Sequence, residues 1–145
     1  MTLTPLIAMH ITTATTALFL GPLVLWTRRG HQAGMQAPLQ QRTRLHRALG
    51  YAWVTLMLMT AVSALFIRDF SLPNIAGYTP VHLLVPLAFG SLFFAFRALL
   101  HGQVQTHRRW MVSLYVSACL VAGAFTLLPN RYLGSLLWRD ALGLL

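Results

Sequence analysis

Four times the sequence runs apolar for about the length that crosses a lipid bilayer, and nothing else in it constrains the fold as much. The stretches cover about residues 3–26, 48–67, 79–100 and 110–128. A helix needs roughly 20 such residues to traverse a hydrocarbon core of ~30 Å. Inside lipid every backbone amide and carbonyl must be paired within the protein, so only helices or a closed barrel can span it. A barrel would alternate apolar and polar residues, and runs such as LMLMTAVSALFI do not alternate. The expectation is therefore all-α: an integral membrane four-helix bundle, one domain over residues 1–145. Composition agrees, since only 9% of residues are charged, against roughly 25% in a soluble domain.

The basic residues number eleven, all of them arginine, against two acids, Asp69 and Asp140. A net charge of +9 raises the question of nucleic acid, because basic patches bind phosphates. Here the arginines sit at the ends of apolar segments, so they report membrane topology and no nucleic-acid partner is expected. Arg28, Arg29, Arg42, Arg44 and Arg47 occupy the first connection, and Arg97, Arg108 and Arg109 flank the third. Arg68, Arg131 and Arg139 lie on the other side. The positive-inside rule then places both termini outside, N-out and C-out. The opening MTLTP carries no positive charge and the pair Arg28–Arg29 follows the apolar run, which reads as a translocated span rather than a cleavable leader. The segment RRGHQAGMQAPLQQRTR reads as a polar inner connector, and RDFSLPNIAGY as a short external loop. The tail RYLGSLLWRDALGLL, with Tyr132 and Trp138 among leucines, reads as a short interfacial amphipathic helix. A single cysteine, Cys119, excludes an internal disulfide and a cysteine-based metal site.

The histidines carry the chemical signal. His10 falls on the first span and His82 on the third, while His46 opens the second and His107 the fourth. Helices rise 1.5 Å per residue, so His10 lies roughly 24 Å from Trp26 and His82 roughly 22 Å from Arg97. Spans one and three run the same way, which matches these two in depth near the outer side. His46 and His107 match near the inner side by the same reasoning. The pattern is one histidine per helix in two layers, paired first with third and second with fourth. Diagonal histidines at equal depth in a bundle can ligate a haem iron from both faces.

The surrounding faces suit a flat ligand. At helical spacing the first span reads His10, Ala14, Ala17, Gly21, and the second His46, Gly50, Trp53, Met57, Ala61. The fourth reads His107, Met111, Leu114, Ala118, Ala122. Small residues of this kind also serve bare helix packing in lipid. On the third span Pro86 leaves the carbonyl of His82 without its helical partner and favours a kink there. Arg44, Arg47, Arg108 and Arg109 stand near the inner pair, where they can pair with haem propionates. Taken singly, His46 or His107 beside arginines is an ordinary polar helix end. His10 and His82 lie nearer the apolar zone, where ionisable residues are costly and point to function. His31 and His101 read as solvated loop residues, Cys119, Met57, Met59 and Met111 as packing, and Arg97 as a side chain reaching back to the inner surface.

No carboxylate lies inside any span, so the residues that usually relay protons or couple cations are missing. Neither a His-Glu-x-x-His zinc motif nor a Gly-rich phosphate loop nor a nucleophile elbow is present. Hydrolytic and phosphoryl-transfer chemistry is not expected.

The segments MHITTATTALFLGPL, LHRALGYAWVTLMLMTAVSALFI, VHLLVPLAF and THRRWMVSLYVSACLVAGAFTLLPNRYLG resemble a bacterial membrane family known as domain of unknown function 2306. The resemblance runs from about His10 to Gly134. It is most specific at His46-Arg47 with Gly50, at His107-Arg108-Arg109 with Met111 and Tyr115, at Ala122-Gly123 and at the Pro129-Asn130-Arg131 turn. Asn130 departs from the glycine frequent in the family, and asparagine also tolerates a left-handed turn. That family implies no activity. The histidine arrangement is also similar to the four-helix core of cytochrome b-561-type transmembrane reductases, in which alternate helices hold one b haem towards each face. By that resemblance His10 and His82 would hold an outer haem, and His46 and His107 an inner one. The two additional helices of its six-helix members are missing here, so their ascorbate sites are not carried over.

The expectation is a b-type cytochrome of the bacterial inner membrane, moving electrons between quinol or another reductant and an acceptor. Haem b is the expected cofactor, two per chain with one as the alternative count. A quinone is a further candidate ligand, and a redox protein a candidate partner. Two other readings stay open: a cofactor-free accessory or assembly subunit of a larger membrane complex, and a haem- or quinone-binding carrier or sensor. Self-association as a homodimer or within a larger complex is compatible with each.

Overall fold

The computed structural model describes residues 4–29, 39–68, 75–128, 132–141 and 143. Helix α1 spans Pro5–Arg29 and α2 spans Leu39–Phe66. A 3-10 turn, Pro80–Leu83, leads into α3, Leu84–Leu100. Helix α4 begins at Val104–Leu114, loosens into a π-helical stretch at Tyr115–Val121 and closes at Ala122–Thr126. The four are long and apolar enough to cross a membrane, at Pro5–Thr27, Arg44–Phe66, Pro80–Leu100 and Val104–Thr126. The all-α four-helix membrane bundle expected from the sequence is the fold observed.

Two boundaries differ from expectation. Helix α2 starts at Leu39, so Arg42, Arg44 and Arg47 are helical rather than part of a loop. Glutamine, arginine and leucine are good helix formers, and they extend the helix beyond the apolar run. Helix α4 starts at Val104, six residues ahead of the apolar boundary, for the same reason. The remainder of the first connection, with His31, lies outside the described residues, as do Asp69 and the Pro129-Asn130-Arg131 turn. After α4, Tyr132–Ser135 and Leu136–Ala141 form a helical tail. Trp138 ties it back, its indole N–H donating to the Leu127 carbonyl at 2.8 Å.

The helices pack as two hairpins, α1 on α2 and α3 on α4, joined through α2–α3 and α1–α4. The waist is filled by Ala17, Trp53, Met57, Leu92, Leu114 and Cys119, all buried. Its tightest point is Gly21, where a β-carbon would come within 2.5 Å of the Tyr115 ring and 3.2 Å of the Trp53 indole nitrogen. Pro22 follows inside α1. A helix-interior proline has no N–H to give the carbonyl four residues back, which here belongs to Leu18. The Tyr115 hydroxyl donates to that carbonyl at 3.2 Å. One residue earlier, the Trp53 indole N–H donates to the Ala17 carbonyl at 2.9 Å. In lipid a freed backbone carbonyl needs such a replacement from a neighbouring helix.

Pro86 behaves differently from its expected role. It is the third residue of α3, in the first helical turn, where the missing N–H would have had no partner anyway. The preceding 3-10 turn ends with the Leu84 N–H on the His82 carbonyl. The chain thus changes helix type before the proline instead of kinking at it.

Candidate functional site

The fold sorts four histidines into two ends. Antiparallel hairpins bring the end of α1 beside the start of α2, and the end of α3 beside the start of α4. His46 and His107 stand at that end, together with Arg44, Arg47, Arg97, Arg108 and Arg109, and it is called the arginine-rich end. His10 and His82 stand at the opposite end. All four rings are partly buried.

Three of them are held in the same way. The His10 Nδ1 lies 3.1 Å from the Thr60 carbonyl of α2 and 2.8 Å from the Ser63 hydroxyl. The His46 Nδ1 lies 3.2 Å from the Val24 carbonyl of α1 and 3.3 Å from the Thr27 hydroxyl. The His107 Nδ1 lies 2.9 Å from the Ala95 carbonyl of α3. A carbonyl only accepts, so the proton in each ring belongs on Nδ1. That tautomer leaves Nε2 as the nitrogen with a lone pair, and a backbone carbonyl on Nδ1–H is how proteins commonly orient a ligating imidazole.

His82 is the exception. The Thr79 N–H donates to its Nδ1 at 3.1 Å, and its Nε2–H donates to the Ile67 carbonyl at 2.8 Å. Both nitrogens are therefore engaged, and the proton is on the opposite one. The ring also meets Tyr78 edge-on, with centroids 5.1 Å apart. Arg68 in turn lies over the Tyr78 ring at 5.5 Å. Tyr78 is set there by a tight turn in which Ile75 and Tyr78 exchange backbone hydrogen bonds at 3.0 Å. The two central residues, Ala76 and Gly77, have φ of 54° and 86°, a pair of positive values that suits glycine and strains alanine.

Space for a macrocycle distinguishes the waist from the ends. The small stripe on α1 is not vacant, since Ala17 and Gly21 are covered by Trp53 and Tyr115. Trp53, Met57 and Ala61 of α2 and Leu114 of α4 are likewise buried against protein. Gly50, one turn beyond His46, is different: among the described residues, no heavy atom outside its own stretch of helix lies within 4 Å of where its β-carbon would be. Arg44, Arg47, Arg108 and Arg109 are exposed at this end. The arginine-rich end carries residue types that a haem would use, two Nδ1-anchored imidazoles and four exposed guanidinium groups for carboxylates. At the other end His10 is anchored alike, and His82 would have to release the Ile67 carbonyl first.

Sequence reasoning overlooked the partners of these rings, Thr60 and Ser63 for His10 and Thr27 for His46. Hydroxyl residues one helical turn apart on an otherwise apolar face were the available signal. It also overlooked Tyr115 and Trp53 as caps for α1, which Pro22 in mid-span foreshadows. Among the described residues no group of three or more histidine, cysteine or acidic side chains could hold a bare metal ion.

Fold and site together define a multi-pass membrane protein with polar anchors running between its helices. The family model described as predicted membrane protein (DUF2306) matches residues 7–134, and the chain belongs to that family. No curated protein matches it. No solved structure matches it either, so the similarity to the cytochrome b-561 core rests on histidine placement alone.

Proposed function

We propose that this membrane protein is a b-type cytochrome with bis-histidine ligation, carrying electrons across the bacterial inner membrane between quinol or another reductant and an acceptor. The observation that carries the reading is the shared anchoring of His10, His46 and His107 through Nδ1 to a carbonyl of a neighbouring helix. His46 and His107 would hold haem b at the arginine-rich end, with Arg44, Arg47, Arg108 and Arg109 on its propionates. His10 and His82 would hold a second at the other end. The bound haem supplies a reversible one-electron iron couple. The chain orients the imidazoles, excludes water through the packed waist and places positive charge at one end. That charge favours the reduced, less positive state and raises the potential there. By the positive-inside rule the arginine-rich end faces the cytoplasm.

A second reading is favoured by His82, whose two nitrogens are both spent on backbone groups. If the other rings serve only as struts, the chain is a cofactor-free accessory subunit packed against a larger complex. A reduced-minus-oxidised spectrum of the detergent-purified protein, with a haemochrome assay, separates the two. The cytochrome reading expects a low-spin b-type spectrum at about two haems per chain, or about one if only His46 and His107 bind. A colourless protein after expression with haem supplied would overturn the cytochrome reading and favour the accessory one.

A further inference from the structure

At the arginine-rich end a cavity of about 280 Å³ opens between the last turns of α3 and the first turn of α4. Its polar lining is Arg97, His101, Gln103 and Thr106, and its apolar lining includes Phe94 and Trp110. Those two rings stack at 5.2 Å with planes 23° apart, forming a flat apolar wall. The cavity is separate from the His46 and His107 anchors, because His107 turns towards Ala95 and Phe96.

The sequence holds only two acidic side chains, Asp69 and Asp140, against eleven arginines. No acidic residue occurs between residues 1 and 68 or between 70 and 139. Arg97 is exposed at the rim of the cavity, where its guanidinium can take an anion from outside the protein. A guanidinium binds phosphate oxygens in a planar, two-pronged way. His101, Gln103 and Thr106 add donors around it. Beside these polar groups, Phe93, Phe94, Leu99, Leu100 and Val104 are exposed large apolar side chains, as befits acyl chains alongside. Basic pockets between spans at a membrane surface commonly take phospholipid headgroups.

We propose that this cavity is a binding site for the phosphate group of an anionic phospholipid, held by Arg97 with His101, Gln103 and Thr106, its chains running along the Phe94–Trp110 wall. This assignment does not depend on haem. The test is thermal unfolding of the full-length protein in neutral detergent, with phosphatidylglycerol, phosphatidylcholine or inorganic phosphate added. Phosphatidylglycerol at about ten times its dissociation constant should raise the midpoint by roughly 3 °C, and phosphatidylcholine by much less. Arg97→Gln should remove most of that rise, Thr106→Val part of it, and Arg68→Gln at the opposite end none. Inorganic phosphate reproducing the full rise would keep the anion site and assign it to a free ion. An equal rise with phosphatidylcholine, or an undiminished rise in both Arg97→Gln and Thr106→Val, would overturn the site. So would equal losses in Arg97→Gln and Arg44→Gln, which would mean that only the overall charge matters.

Discussion

The waist of the bundle and its arginine-rich end use similar ingredients for opposite purposes. Both join helices by a side-chain donor on a backbone carbonyl: Trp53 on Ala17 and Tyr115 on Leu18 at the waist, His46 on Val24 and His107 on Ala95 at the end. The waist donors have nothing left over, because an indole N–H only donates and the hydroxyl of Tyr115 fills the gap left by Pro22. An imidazole has a second nitrogen. Anchoring it through Nδ1 fixes the ring and places the lone pair on Nε2. The division is thus between packed donors at the waist and imidazole anchors at the ends, with His82 as an end residue whose two nitrogens both meet backbone groups.

The largest test of that division is Gly21→Leu. The new side chain must displace the Tyr115 ring and crowd Trp53, so a loss of about 3 kcal/mol in unfolding free energy is expected. Denaturation in mixed micelles measures it. A loss below about 0.5 kcal/mol would show the waist to be looser than described. Next come His46→Ala and His107→Ala, each expected to lower haem retention at the arginine-rich end at least tenfold, or about 1.4 kcal/mol. Their unfolding midpoints should shift far less than that of Gly21→Leu. Haem content equal to wild type in both variants would reduce these rings to struts.

A smaller effect separates the two ends from each other. His82 would have to release the Ile67 carbonyl before it could hold a haem, so haem binding at that end should be weaker by about tenfold. A haem titration should show one tight and one weaker phase, the weaker one lost in His10→Ala. The reverse order would contradict the tautomer assigned to His82. Smallest is Tyr115→Phe, which removes only the hydroxyl opposite Pro22. Hydrogen bonds between spans average about 0.6 kcal/mol, so a destabilisation of that order is expected. Haem content should be unchanged.

Much of the fold was legible in the sequence because the bilayer allows so few solutions. Run length and the absence of alternation gave four helices, and the apolar boundaries fell within a few residues of the spans. What composition could not show was where a helix continues past the lipid, as at Leu39 and Val104, because polar helix formers look the same in a loop. The depth of the histidines followed from counting rise per residue, and the sorting into two ends needed only alternating helix direction. Their hydrogen bonds did not follow. Which nitrogen of His82 carries the proton depends on the Thr79 amide and the Ile67 carbonyl, which meet only through the turn at Ala76–Gly77. Likewise, the alanine and glycine stripe of α1 reads identically whether it faces a ligand or, as at Gly21, the ring of Tyr115.

Pro22 has a consequence for the order in which the molecule is completed. Spans enter the membrane in sequence, and α1 arrives with the Leu18 carbonyl already deprived of an N–H. Pairing with α2 satisfies Ala17 through Trp53 and leaves Leu18 waiting. Only the last span carries the Tyr115 hydroxyl that answers it. A chain halted after three spans therefore lacks the donor that this carbonyl meets in the finished bundle.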